Sequence, residues 1–147
     1  MENMMEINEE VLNFFQERLG YTNEEVKLFK ENPRNVDVLS KAIPLMNKTI
    51  IAEVVESHGC NSQHKVGDKF IFDGIGNLIT KLCPKRICIY ALASIAPLVF
   101  ASNELLYAGA DPNEMRYKRS GCFDVGVQCG GWGRIIMELR VEDRKKD

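Results

Sequence analysis

The sequence predicts an α+β protein in two parts. A helical N-terminal arm covers residues 1–47, and a small, mainly antiparallel sheet packed on one long kinked helix covers residues 48–147. Three observations carry this expectation. Apolar residues recur at helical spacing from residue 8 to 46, whereas β-branched residues and period-two alternation mark the stretches after Lys48. Within the second part lies the longest apolar run, ICIYALASIAPLVFA, Ile87 to Ala101.

In the arm, Asn8 is positioned to cap a helix whose Val11, Leu12, Phe15 and Leu19 share a face and whose stop is Gly20. Thr22 to Glu25, T-N-E-E, matches a capping box, in which each side chain satisfies the other's exposed backbone N–H. Asn32-Pro33 ends that helix. Asn35 is the expected cap of a third, with Val36, Leu39, Ala42 and Ile43 on one face and Pro44 in its last turn. After Lys48, TIIAEVVES reads as a strand. HKVGDKFIFDGIGNLIT reads as a hairpin, with Phe70 and Phe72 alternating between turns at Gly67-Asp68 and Asp73-Gly74. Cys83-Pro84 is expected to open the long helix, with Cys83 as its N-cap, Pro97 as its kink and Gly109 as its end. DPNE, Asp111 to Glu114, reads as a short capped turn. SGCFDVGVQCGGWG reads as a loop, RIIMELRVE as the last strand, and EDRKKD as a solvated tail.

Composition bounds the function. The 147 residues suit one domain with a small appendage, and a net charge of −2 gives no pull toward nucleic acid. At 1.5 Å per residue, the apolar run would make a helix of about 22 Å, short of a bilayer, so no membrane span is expected. MENMMEINEE has neither the basic nor the apolar region of a signal peptide, which points to the cytoplasm. Five cysteines there are expected to be reduced, so ligand or thiol roles outrank disulfides.

The chemistry-bearing residues are Cys60, Cys83, Cys88, Cys122 and Cys129, with His58 and His64. No C-x-x-C pair is present, so the strongest zinc or iron–sulfur signal is missing. Cys60 and His64 nevertheless have a spacing that suits two ligands on one turn, with His58 a weaker third. A helix N-terminus beside Lys85 and Arg86 would favour a thiolate at Cys83. Cys88, further along the apolar run, is expected to pack as a small hydrophobe. Cys122 and Cys129 bracket a glycine-rich loop of the kind that turns backbone N–H groups inward.

Two readings follow. In the first, Cys60, His64, Cys83, Cys122 and Cys129 gather three or four ligands for a metal ion or an iron–sulfur cluster, and the chain is expected to serve as a subunit of a larger enzyme. In the second, Cys83 is the nucleophile of a small thiol enzyme and His64 its acid or base. A weaker third reading places an anion at MRYKRSG, Met115 to Gly121. The apolar faces of residues 87–101 also make a homo-oligomer an expectation.

The strand TIIAEVVES, the turn with Cys60 and His64 followed by KVGD, the FDG turn, Cys83-Pro84 and the cysteine loop together resemble a known family. Its members are small uncharacterised Cys/His-containing domains, sometimes repeated, of anaerobic bacteria and archaea. The resemblance runs from Ile51 to Glu142. It implies a shared site and an anaerobic setting that tolerates exposed thiolates and oxygen-sensitive clusters. This chain departs from the family in its helical arm and in carrying both Cys122 and Cys129.

Overall fold

The computed structural model describes residues 8–145. Met1 to Ile7 and the tail residues Lys146 and Asp147 lie outside that range. The fold is α+β, as the sequence predicts, and divides into two compact units, Met1–Leu45 and Met46–Asp147.

The first unit is helical, and its local signals place most of its ends. Helix α1 spans Glu9–Leu19; the Asn8 side chain accepts the Glu10 N–H and Gly20 closes the helix at φ +70°. Helix α2 spans Asn23–Glu31 and starts with the complete Thr22/Glu25 capping box. Phe15, Tyr21 and Phe29 form a ring cluster with centroids 5.3–6.4 Å apart, which fixes α1 against α2. The next boundary corrects the expectation. Helix α3, Pro33–Ser40, is capped by Asn32, which accepts the Arg34 N–H at 2.9 Å. Pro33 therefore opens α3 as its first residue, where a missing N–H costs nothing. Asn35 lies inside α3 and instead donates to the Phe29 carbonyl at 3.0 Å. Pro44 falls in a separate short helix, α4, Ala42–Met46.

The second unit is a four-stranded antiparallel sheet in the order β2-β1-β4-β3. Strand β1 is Lys48–His58, β2 Lys69–Asp73, β3 Arg119–Gly121 and β4 Arg134–Asp143. The central pair is β1 with β4, in a register that sets Ile50 opposite Val141, Ala52 opposite Leu139 and Val54 opposite Met137. All six are buried, as is Ile135. Strand β4 alternates buried and half-buried residues along most of its length, the signature of a sheet with one covered face. It runs through Asp143, one residue beyond the expected strand and into the segment the sequence assigned to the tail.

Helix α5, Ile89–Tyr107, packs on this sheet. It turns Ala91, Ile95, Val99, Ser102 and Leu106 inward at helical spacing. Pro97 is carried within it, leaving the Ala93 carbonyl without its usual i+4 donor. At 19 residues α5 is about 28 Å long. By length and composition alone it is the one helix among the described residues that could cross a membrane. It exceeds the length of about 22 Å expected of the apolar run because, although it starts two residues inside that run, it continues six residues beyond it.

Turns place the remaining pieces. The Asp73 carboxylate accepts the Ile75 and Asn77 amides and folds the chain back so that Leu78 bridges Phe72. Asp111 caps the 3-10 turn Pro112–Glu114, and the Asn113 amide group both donates to and accepts from the Val141 backbone at 2.9 Å.

Candidate functional site

The start of α5 is where the structure departs most from the sequence reading. Cys83 is not its N-cap. Cys83 ends the 3-10 turn Thr80–Leu82 with an extended backbone, and five more residues pass before the helix begins. Its sulfur lies at the edge of β2, accepting the Ile71 N–H at 3.3 Å and donating to the Ile79 carbonyl at 3.3 Å. Those backbone contacts pin residues 79–83 to the sheet and give the thiol a structural task.

Cys88, which the sequence placed in the core, is the N-cap of α5. It is half-buried, with an extended backbone. Burial raises its pKa, but the Ala91 amide, the Ser62 hydroxyl and the Tyr90 amide more than offset that, and the thiol is held below its ordinary value of 9.0. Hydrogen bonds to the sulfur favour its charged form, as the positive end of a helix does. Helix α5 continues unbroken for 19 residues behind it.

His64 sets this geometry. It is only 3% exposed, and its Nε2 accepts the Cys88 backbone N–H at 3.3 Å. The ring stands edge-on to Phe70 with centroids 5.1 Å apart. Its own carbonyl accepts the Ser57 hydroxyl at 2.6 Å. Nδ1 is 3.8 Å from the Asp68 carboxylate, too far for a hydrogen bond. With Nε2 accepting an amide N–H, His64 serves as an acceptor that fixes the helix start.

Ser62, Gln63, His64 and Asp68 from the turn after β1, with Pro84, Lys85 and Arg86 from the approach to α5, line an open cleft of about 440 Å³. Cys88 is joined to this lining through its backbone N–H, which His64 accepts. Its lining carries two cations, Lys85 and Arg86, against one carboxylate, Asp68, so the local field favours anions.

The other expected site residues lie elsewhere. His58 ends β1 opposite Arg134 and is exposed. Gly59 then turns the chain at φ +66°, so Cys60 leaves the strand and begins the turn in which Gln63 N–H donates to the Cys60 carbonyl at 3.0 Å. Cys122 lies just past β3, its sulfur accepting the Ile135 N–H at 3.4 Å. Cys129 is exposed in a 3-10 turn. All five thiols are free. Among the described residues, no three His, Cys, Asp or Glu side chains come together to hold a metal ion. The expected ligands Cys60, His64, Cys83, Cys122 and Cys129 thus do not gather into one group among the described residues.

The reading of Met115 to Gly121 as an anion site also changes. Arg119 to Gly121 form β3, the Arg119 Nε is 2.7 Å from the Glu138 carboxylate, and Lys118 Nζ donates to the Asn113 carbonyl at 3.0 Å. Asp124 organises the cysteine loop. Its carboxylate accepts the Gly126 amide at 2.9 Å, the Trp132 amide at 3.0 Å and the Gly133 amide at 3.2 Å. The Gly126 and Gly133 amides, with smaller contributions from Trp132 and Val125, hold its carboxyl below the ordinary 3.8 against a small opposing effect of burial.

The fold and site define the class as an α+β chain with a four-stranded antiparallel sheet and a cysteine at the N-terminus of its long helix. No protein-family model matches this chain, and no curated protein or solved structure is significantly similar to it.

Proposed function

We propose that the protein is a small thiol-dependent enzyme in which Cys88 is the nucleophile. The observation that carries this reading is the placement of Cys88 as the N-cap of α5, its backbone N–H accepted by His64, which lines a cleft together with Lys85 and Arg86. A thiolate is the reactive form of cysteine, and this setting raises its share near neutral pH. Its substrate is a small electrophile with a carboxylate or phosphate that Lys85 and Arg86 attract. His64 is a positioning residue here, since its Nε2 holds the Cys88 amide. A nucleophile that depends on a free thiolate suits a reducing cytoplasm.

The metal or iron–sulfur reading, and with it a role as a subunit of a larger enzyme, has no such support. The Cys83 and Cys122 sulfurs are engaged with backbone groups, and no three candidate ligands gather among the described residues.

The test is competitive alkylation at pH 7, with each cysteine followed by peptide mass. Iodoacetate should label Cys88 on the order of tenfold faster than exposed Cys129. Lys85→Glu with Arg86→Glu should slow iodoacetate and leave neutral iodoacetamide unchanged. Labelling led by Cys129, with Cys88 among the slowest, would remove the proposal.

A further inference from the structure

We infer that the outer face of α5 is a two-fold interface at which two copies of this chain pair antiparallel. From Ile87 to Asn103 the chain carries no charged residue. While Ala91, Ile95 and Val99 face the sheet, Ile89, Ala93, Ala96 and Phe100 are exposed, Ile89 at 64% and Phe100 at 65%. Their spacing is four, three and four residues, which is the spacing of a helix–helix seam.

The seam is symmetric about its midpoint between Ala93 and Ala96. A two-fold axis there sets Ala93 of one copy opposite Ala96 of the other, and Ile89 opposite Phe100. The small residues fall where two crossing helices approach closest. The large ones fall where the helices diverge and leave space to fill. The same axis brings Arg86, just before one end of the helix, towards Glu104 near the other end of its mate. A parallel arrangement would set like against like at both ends.

The area is sufficient. Tyr90, 60% exposed, extends the face sideways and meets Phe123, 79% exposed, with ring centroids 5.8 Å apart. At 60–79% exposure the three rings supply roughly 300–500 Å², and Ile89, Ala93 and Ala96 bring the exposed apolar surface to on the order of 600 Å² per copy. Two copies would bury about 1,200 Å², the lower edge of a specific interface. Phe123 is presented on the loop that Asp124 ties down through three backbone amides, so little ordering is needed on association.

The experiment is sedimentation equilibrium on the full chain at micromolar concentration, with flotation on anionic vesicles in parallel. The wild type should sediment at twice the 16.7 kDa chain mass. Ala93→Glu alone and Ala96→Lys alone should each weaken association on the order of 100-fold, because each leaves a charge unpaired in the interface. Both positions are exposed, so circular dichroism should report an unchanged fold. The double variant Ala93→Glu with Ala96→Lys should restore the dimer, since the axis sets each glutamate opposite a lysine. A monomeric wild type, a dimer unmoved by the single variants, or a monomer that floats with the vesicles would overturn the assignment.

Discussion

Cys83 and Cys88 are five residues apart and differ in what surrounds the sulfur. Cys83 exchanges hydrogen bonds with the backbone of Ile71 and Ile79, whereas Cys88 stands at a helix start that holds its thiol below the ordinary value. Exchanging Cys83 for alanine should therefore loosen residues 79–83 and cost about 1 kcal/mol without changing Cys88 labelling, as urea unfolding and alkylation together would read. Asp124 belongs to the same scale. Its folded pKa is depressed, so the stability it contributes is complete above 3.8 and lost as pH falls through its lower folded value. Asp124→Asn should abolish that acid dependence and expose the Gly126, Trp132 and Gly133 amides to hydrogen exchange; unchanged exchange at these amides would contradict the assignment. Gly133 is a packing point: a Cβ there would stand 2.0 Å from the Gly59 carbonyl oxygen. Gly133→Ala should thus destabilise by about 1–3 kcal/mol in a thermal melt. The sequence marked the Asp124 loop by its glycines but could not show which carboxylate would gather its amides, because their spacing along the chain hides their convergence.

At the scale of elements, what was legible had local causes. The Asn8 cap, the Thr22/Glu25 box, the alternation of β4 and the Asp111 cap are each decided within a few residues, and each stands in the structure. The start of α5 was not legible. Pro84 is a good first helical residue, but the structure instead begins the helix after Cys88, whose N–H is accepted by His64 from 24 residues away. The three-residue strand β3 is likewise too short to show a period and is defined by its pairing with β4. His64→Ala should leave the Cys88 N–H without its acceptor, cost about 1–3 kcal/mol, and fray the first turn of α5. Amide exchange at residues 88–92 would detect it. A variant as stable as the parent, with those amides still protected, would contradict the role given to His64.

At the scale of the molecule, the sequence reading gathered distant thiols at one end of the sheet because each loop, taken alone, was compatible with ligation. Strand order sets two of them apart. Cys83 sits beside β2 at one edge of the sheet, and Cys122 follows β3 at the other, with β1 and β4 between them. A chelator should accordingly leave the melting temperature unchanged, and protein purified without oxygen or a metal-binding tag should carry no stoichiometric zinc or iron. A fall of several degrees on chelation would return the metal reading to first place.

The central claim concerns one thiol, and one measurement reaches it directly: the alkylation rate of Cys88 as a function of pH, in the wild type and in Ser62→Ala. The account predicts a wild-type midpoint below the ordinary thiol value of 9.0, raised when the Ser62 hydroxyl is removed. A wild-type midpoint at or above 9.0, unmoved by Ser62→Ala, would show that the N-terminus of α5 does not activate Cys88 and would contradict the account.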